Sequence, residues 1–448
     1  MSALAMFGGA RAVPEQSIGQ ALVRWPVVTE DERSAVLRVL DSGKFTSNSM
    51  GLGEVQLLER EWAGYVGAPH CAALSNGTAA VALALAALGL QPGDEILVPA
   101  LTFIGSIAGP VQRLIVPVFV DIDPRTFTMD PVAAEAAVTP RTRAVLAVHL
   151  HGLPCDMTAL RELAERRHLL LVEDAAQAHG ATYRGVRAGA LGDAAAFSLN
   201  VTKNLPTCGE GGLVTTVSHE VHERMIRLRQ FGEDLRPGRP RDYVSRVLAG
   251  NEKMSSVQAA FARSQLDRLP SYADARERNA RRLFDRLGVL PGLVVPLVPE
   301  DRTHAWHILR IRFDPAAAGY PDVAPGPFRA ALARVLQAEG VPVQPYQLVP
   351  LPGQRVFQTR EGVGGGYPWS LPGVAEHDYR IEDHPVTMAV IEDSLTLQRW
   401  HLNPDSGPVL DLVADAFEKV WSHLDAVATI ARSAPYTVPW AGSMAVAA

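Results

Sequence analysis

Between about residues 70 and 220, short apolar runs alternate with helical patterns. The runs at 71–74 (CAAL), 95–99 (EILVP), 116–121 (VPVFVD), 144–149 (AVLAVH) and 169–173 (LLLVE) are apolar almost throughout. Such runs predict strands buried on both faces. The stretches at 79–88, 103–112 and 157–166 predict the helices between them. Two further strands are expected at 194–199 and 212–216. The region therefore reads as an α/β domain with a mostly parallel, seven-stranded sheet and helices on both faces.

Outside this region the texture differs. Residues 1–28 read as an arm broken by Pro14 and Pro26. Thr29 caps a predicted helix whose first turn carries Glu30, Asp31 and Glu32. A polar loop follows at 42–48. Residues 54–66 predict an amphipathic helix with Val55, Leu58, Trp62 and Val66 on one face. Beyond the sheet region, 220–230 and 255–287 are helical, the latter holding a charged stretch at 272–287. Residues 308–313 alternate like a strand, and 326–339 are helical. The segment 346–383 is rich in Pro, Gly and aromatics and is expected to be a long loop. A helix at 407–426 and a frayed tail at 432–448 complete the pattern. The expected division is 1–270 for the arm and large domain, and 271–448 for a smaller α+β domain.

Composition narrows the class of protein without naming a function. With 42 Lys+Arg against 48 Asp+Glu, the net charge of −6 over 448 residues argues against a general nucleic-acid footprint. The three cysteines, Cys71, Cys155 and Cys208, are too few for a disulfide framework and fit a reducing cytoplasm. The N-terminal stretch lacks the basic and apolar regions of a secretory signal. The longest apolar stretch, 79–90, is too short to span a bilayer. No membrane or nucleic-acid partner is expected.

Ligands of parallel α/β sheets bind beyond the carboxyl ends of the strands, so the residues following each run carry the candidate chemistry. After the first come Ser75, Asn76, Gly77 and Thr78, opening a helix; the turn suits an anion or is an ordinary cap. After LLLVE comes Asp174, placed either to pair with a cation or to cap the next helix. After 194–199 comes Lys203, in a loop of small and polar residues. Desolvation there would lower its pKa and make it a nucleophile for a carbonyl; a lone loop lysine is more often a solvated surface charge. An aldehyde that also carries a phosphate and a pyridine nitrogen needs all three partners at once.

The blocks SNGTAA (75–80), VPALTFIGS (98–106), PVFVDIDPRTF (117–127), VHLHGLPCDM (148–157), VEDAAQAHGA (172–181), FSLNVTKNLPTCGEGG (197–212) and NEKMSSVQAAFARSQLDRL (251–269) resemble, in order and spacing, the DegT/DnrJ/EryC1/StrS group of sugar and aminocyclitol aminotransferases. The resemblance implies the fold-type-I, aspartate-aminotransferase-like architecture. It also implies pyridoxal 5′-phosphate (PLP) as cofactor and a homodimer. It makes Lys203 the lysine that binds the cofactor's aldehyde and shuttles protons, and Asp174 the partner of the pyridinium N–H. Gln177 would bond the phenolic oxygen, and Phe103 would stack on the ring. Gly77, Thr78 and Ser198 would bind the phosphate, with Asn251 reaching it from a partner subunit. His179 enters as a candidate substrate contact; His149 and His151 are equally well read as core-edge residues. No cysteine or histidine pattern points to a metal.

The implied reaction moves an amino group from L-glutamine or L-glutamate to a keto-sugar or keto-cyclitol. The run 204–212 resembles the family's secondary-metabolism branches, as in aminoglycoside-type biosynthesis. Branches with histidine in place of the lysine dehydrate instead, and Lys203 argues against that chemistry here. Two alternatives remain open: an aromatizing dehydration of the 3-amino-5-hydroxybenzoate-synthase type, and a non-catalytic regulatory protein on the same fold. A diphosphate-sugar acceptor would need cations such as Arg227, Arg229 or Arg310 turned to the cleft, whereas a neutral cyclitol would not. The segment 346–405 is expected to shape substrate choice.

Overall fold

Apolar runs with no polar face cannot lie on a surface, and here they stack into one central sheet. The computed structural model describes residues 3–47, 52–235, 241–374, 377–397 and 399–441 of the chain. In chain order, β1 (His70–Leu74), β2 (Glu95–Pro99), β3 (Val116–Val120), β4 (Thr142–Val148) and β5 (Leu170–Asp174) precede a short hairpin of β6 (Thr182–Tyr183) and β7 (Val186–Arg187). β8 (Ala194–Ser198) and β9 (Gly212–Thr216) complete the sheet, whose order is β1-β9-β8-β5-β4-β2-β3. The pairs β2–β3, β2–β4, β4–β5 and β5–β8 are parallel; β9 alone runs against both its neighbours. This confirms the seven strands read from the sequence.

Small residues let the layers close. β8 reads Ala-Ala-Ala-Phe-Ser, and Ala194, Ala196 and Ala72 lie in one buried cluster with Ala80, Leu83 and Ala84 of helix Gly77–Ala87. That helix is buried on most of its surface, as the run of alanine and leucine requires.

The second layer system is antiparallel. β10 (Leu293–Val294), β11 (Leu309–Phe313), β12 (Val343–Gln344) and β13 (Ser394–Leu397) form a sheet in the order β10-β11-β13-β12. Helices Pro325–Ala338, Gly407–Trp421 and Leu424–Ser433 share its core. The helix expected at 407–426 is thus two helices, broken between Trp421 and Leu424, and order continues past the expected start of the tail. Residues 442–448 of that tail, and Asn48 of the 42–48 loop, lie outside the described residues. The arm is tied to this domain: Leu4 and Val13 are in its core, and the Ala5 and Ala12 N–H groups donate to Glu339 at 2.7 and 2.9 Å.

One helix joins the two cores. Ser256–Leu287 runs 32 residues, straight through Pro270. Its Ala259, Ala262, Leu266 and Leu269 pack with Trp62 and Phe197, and its Ala280, Leu283 and Leu287 pack in the small-domain core. The 346–383 segment is largely irregular, with short turns at Leu351–Gly353, Arg355–Gln358 and Ile381–Asp383. Its Phe357 and Tyr379 stack edge-on to Phe119 of the edge strand β3, at 5.0 and 5.2 Å, and Tyr379 Oη donates to the Pro117 carbonyl at 2.9 Å. The segment thereby covers a sheet edge that would otherwise invite pairing. Among the described residues no helix is long and apolar enough to cross a membrane.

Candidate active site

A cavity of about 610 Å³ opens at the carboxyl ends of the parallel strands. Gly77 and Thr78 after β1, Phe103 after β2, Asp174 at the end of β5 with Gln177 beyond it, and Ser198 at the end of β8 with Lys203 beyond it all line it. Seven of the residues singled out in the sequence, spread over some 125 positions, therefore converge on one space.

The turn after β1 is built for close approach. The Asn76 side chain accepts from the Ala79 N–H at 2.8 Å and caps the helix, leaving its first N–H groups to an anion. A Cβ on Gly77 would stand 2.6 Å from Ser198 Cβ, so only glycine lets this helix start sit against the end of β8.

The polar side chains are held from behind. Asp174, almost fully buried, accepts from Ser106 Oγ at 2.6 Å on one oxygen and from the Ala176 N–H at 3.1 Å on the other. Ser106 in turn lies 3.0 Å from Thr102 Oγ1. Gln177 Oε1 accepts from the His151 N–H at 2.6 Å, which leaves its Nε2 hydrogens to donate elsewhere. His149 accepts the Cys155 N–H on Nδ1 at 3.2 Å, so its Nε2 carries the proton and donates to Glu173 at 2.9 Å. Glu173, fully buried, also accepts from the N–H groups of Gly189, Leu191 and Gly192.

The lysine loop is braced from three sides. Trp25 Nε1 of the arm donates to the Lys203 carbonyl at 2.9 Å, and the Lys203 N–H donates to Asn200 O at 2.8 Å. Asn204 Nδ2 donates to Ala305 O at 2.6 Å, while its Oδ1 lies 3.0 Å from His307 Nδ1. Burial pulls the Lys203 ammonium down to about 8, Asp174 and Glu210 oppose the shift, and Arg399 adds to it. About a tenth of its amine is then neutral at pH 7, against well under a thousandth for an ordinary lysine, and nucleophilic attack requires that form. Phe103 presents a face that is 57% exposed at the cavity wall.

Of the expected residues, His179 does not line the cavity, and Asn251, expected to act from a partner subunit, lies outside this protomer's own. The His179 ring is buried between Trp62 and Phe197, with centroids at 5.8 and 5.5 Å, and burial with nearby Lys203 and Arg276 holds it down to about 3. It belongs to the apolar layer behind the sheet, because its position two residues after Gln177 turns it the other way. Asn251 is exposed, bridged to Gln230, and accepts from Lys253 Nζ at 2.5 Å. The arginines named for a diphosphate are engaged elsewhere. Arg227 pairs with Asp234, and Arg229 pairs with Glu59 at 2.5 Å. Arg310 donates to His151 Nε2 at 2.9 Å and Ser394 Oγ at 2.7 Å.

The cavity also collects residues the sequence reading did not single out. Ser106 and Thr102 lie in the block 98–106, where a hydroxyl four residues from another on a helix start was the available signal. Asn200 and Glu210, bonded at 2.6 Å, come from either end of the lysine loop. His307, Tyr346 and Arg399 come from the small domain, and no local pattern marks them.

The donor set fits PLP. A carboxylate stands ready for a pyridinium N–H, an amide N–H for a phenolate and a lowered lysine for an aldehyde. An open aromatic face suits the ring, and a glycine helix start beside a serine suits a phosphate. Comparison with known proteins agrees. The model of the DegT/DnrJ/EryC1/StrS aminotransferase family matches residues 26–370. The L-glutamine:2-deoxy-scyllo-inosose aminotransferase of Streptomyces fradiae is 36% identical over 414 residues, 89% of this chain and 94% of the relative. The dTDP-3-amino-3,4,6-trideoxy-alpha-D-glucose transaminase of Streptomyces venezuelae is 40% identical over 279 residues, 62% of this chain and 71% of that one. The crystal structure of 3-amino-5-hydroxybenzoic acid (AHBA) synthase superposes with a TM-score of 0.75 at 30% identity, covering 92% of this chain and 100% of that one. The chain belongs to the DegT/DnrJ/EryC1/StrS family and is a PLP-dependent aminotransferase of the sugar and aminocyclitol type.

Proposed function

We propose that this aminotransferase passes the amino group of L-glutamine to an unphosphorylated keto-cyclitol rather than to a nucleotide-activated keto-sugar. The observation that carries the reading is the charge of the cavity. Among the described residues, Lys203 and Arg399 are its only Lys or Arg lining residues, and Arg227, Arg229 and Arg310 are spent on partners elsewhere. A diphosphate desolvated against a single arginine would be poorly compensated. The near-complete alignment with the inosose aminotransferase, against a shorter one with the nucleotide-sugar transaminase, supports the same choice.

In this reading Gly77, Thr78 and Ser198 hold the cofactor's phosphate, joined by Asn251 of the partner subunit in a homodimer. Phe103 stacks on the ring, Gln177 donates to the phenolic oxygen, and Asp174 receives the pyridinium N–H. When bound, PLP supplies an electron sink for the charge left on the donor's α-carbon. Lys203 Nζ takes the proton from that carbon and, in the second half-reaction, delivers one to the acceptor's former carbonyl carbon. Ser106 and the Ala176 N–H keep the Asp174 carboxylate aimed, and Glu173 accepts from His149 Nε2 and fixes that ring at the cavity wall. Arg399 meets the amino donor's carboxylate, and Tyr346 lies beside the acceptor.

The test is a matched pair of assays with the holoenzyme and L-glutamine: 2-deoxy-scyllo-inosose as one acceptor, a dTDP-keto-sugar as the other. Amine product from the cyclitol alone supports the proposal. Product from the nucleotide sugar alone overturns it. Consumption of an amino-cyclohexenone acid with loss of water and no net amine transfer would instead mark the aromatizing activity, which the resemblance to AHBA synthase keeps in view.

A further inference from the structure

A second cluster of ring nitrogens lies apart from the cavity. His70 is the first residue of β1, an edge strand of the central sheet, and His219 and His222 stand one turn apart at the start of helix His219–Leu228. One ring nitrogen from each lies within 4.8 Å of the other two. The His70 ring centroid is 5.0 Å from that of His222 and 5.3 Å from that of His219. A tetrahedral centre with metal–nitrogen bonds of about 2.0–2.1 Å asks for nitrogens about 3.3 Å apart, so the rings have to draw in from the 4.8 Å within which they now lie. His219 is exposed, so the space is open to ions from solvent.

The state of His222 points to a ligand. Its Nε2 lies 3.2 Å from the Cys71 carbonyl oxygen, which accepts only, so Nε2 carries the proton. Its Nδ1 then holds a lone pair, and this atom is buried without a hydrogen-bond partner. A histidine that donates one ring N–H to a backbone carbonyl while the other nitrogen stays free is arranged as metal-ligating histidines are. Among the described residues this is the group of histidine, cysteine and carboxylate side chains placed to hold a metal.

We propose that His70, His219 and His222 bind one divalent transition metal of the zinc class, with a fourth position open to water. Three neutral imidazoles without a carboxylate favour borderline ions such as Zn²⁺ and Ni²⁺ over Mg²⁺ or Ca²⁺. None of the three lines the cavity, so the metal does not enter the amino-transfer chemistry. It joins the strand that leads directly into the Asn76–Thr78 turn to the helix that follows β9, and so stiffens the edge of the sheet.

The experiment titrates Zn²⁺ into the chelator-treated, PLP-loaded enzyme by calorimetry and follows thermal unfolding with and without the ion. One saturable equivalent and a raised Tm are expected for the wild type. His219→Ala, an exposed position that leaves the fold intact, should weaken binding at least tenfold and remove the Tm increase, with transaminase activity unchanged. His168→Ala, an exposed histidine elsewhere, should leave both readouts as in the wild type. Absence of saturable Zn²⁺ binding to the wild type, or equal binding by His219→Ala, overturns the proposal. A Tm increase by Mg²⁺ equal to that by Zn²⁺ overturns the assigned ion class.

Discussion

On the sheet side of the cavity, side chains are fixed by groups behind them. Ser106 and the Ala176 N–H set Asp174, the His151 N–H sets Gln177, and Trp25 and Asn200 set the backbone of Lys203. The small domain contributes differently. Tyr346 and Arg399 come from the irregular chain after β12 and β13, and Arg399 is exposed on a left-handed backbone at φ +60°. The first arrangement costs no reorganisation when charge develops, which suits chemistry that never changes. The second can be remodelled without disturbing a strand, which suits the part of a reaction that differs between substrates. Of the 346–405 segment expected to shape substrate choice, Tyr346 and Arg399 are the described residues that line the cavity, while Phe357 and Tyr379 pack over the sheet edge at Phe119.

Substitutions on the two sides should separate accordingly. Lys203→Ala should abolish turnover, a loss of about 10⁴-fold or more, and remove the visible absorbance of lysine-bound cofactor; a surviving band would dismiss Lys203 as the nucleophile. Asp174→Asn should lower kcat by about 10²–10³-fold with KM values little changed, and a loss confined to KM would place Asp174 with the variable side. Ser106→Ala removes only the donor that aims Asp174 and should cost about tenfold in kcat, in line with about 1–2 kcal/mol for a lost buried partner. Its pattern should be a weaker copy of Asp174→Asn. Arg399→Ala should raise the KM for the amino donor about tenfold and leave kcat within about twofold; a kcat loss as large as that of Ser106→Ala would erase the distinction between the sides.

The smallest effect is a pH shift that links them. Nucleophilic attack needs the neutral amine, so PLP uptake by the apoenzyme should quicken as pH rises through about 8, the value to which burial lowers Lys203. Arg399 lowers this value and Asp174 raises it, so Arg399→Ala should move the midpoint up and Asp174→Asn down. Stopped-flow absorbance across pH 6 to 10 reads the midpoint; shifts of opposite sign to these would show that the charges do not act on Lys203 as placed.

The sheet and its chemistry were legible because their signals are local. A strand buried on both faces must be apolar along its length, and a residue at its carboxyl end falls at the cleft whatever the rest of the chain does. That is why β1 to β5, β8 and β9 appear where the apolar runs are, and why Asp174, Gln177, Ser198 and Lys203 meet. The exceptions follow from geometry on a finer scale. His179 lies close to Gln177 in sequence, but the turn after β5 directs it into the Trp62–Phe197 layer. The helix read over 255–287 forms as Ser256–Leu287, and cores on either side hold it through Pro270.

By itself, then, the chain's order of residues determined the strands, the helix-opening turn at Gly77 and the lysine after β8, since each depends on neighbours a few positions away. Tertiary structure alone decided that Arg229 and Arg310 are spent on buried partners while Arg399 faces the cavity. It also decided that His70 meets His219 and His222 from some 150 residues away. Charge pairing and ligand clusters are set by distance in space, and no local pattern records that distance.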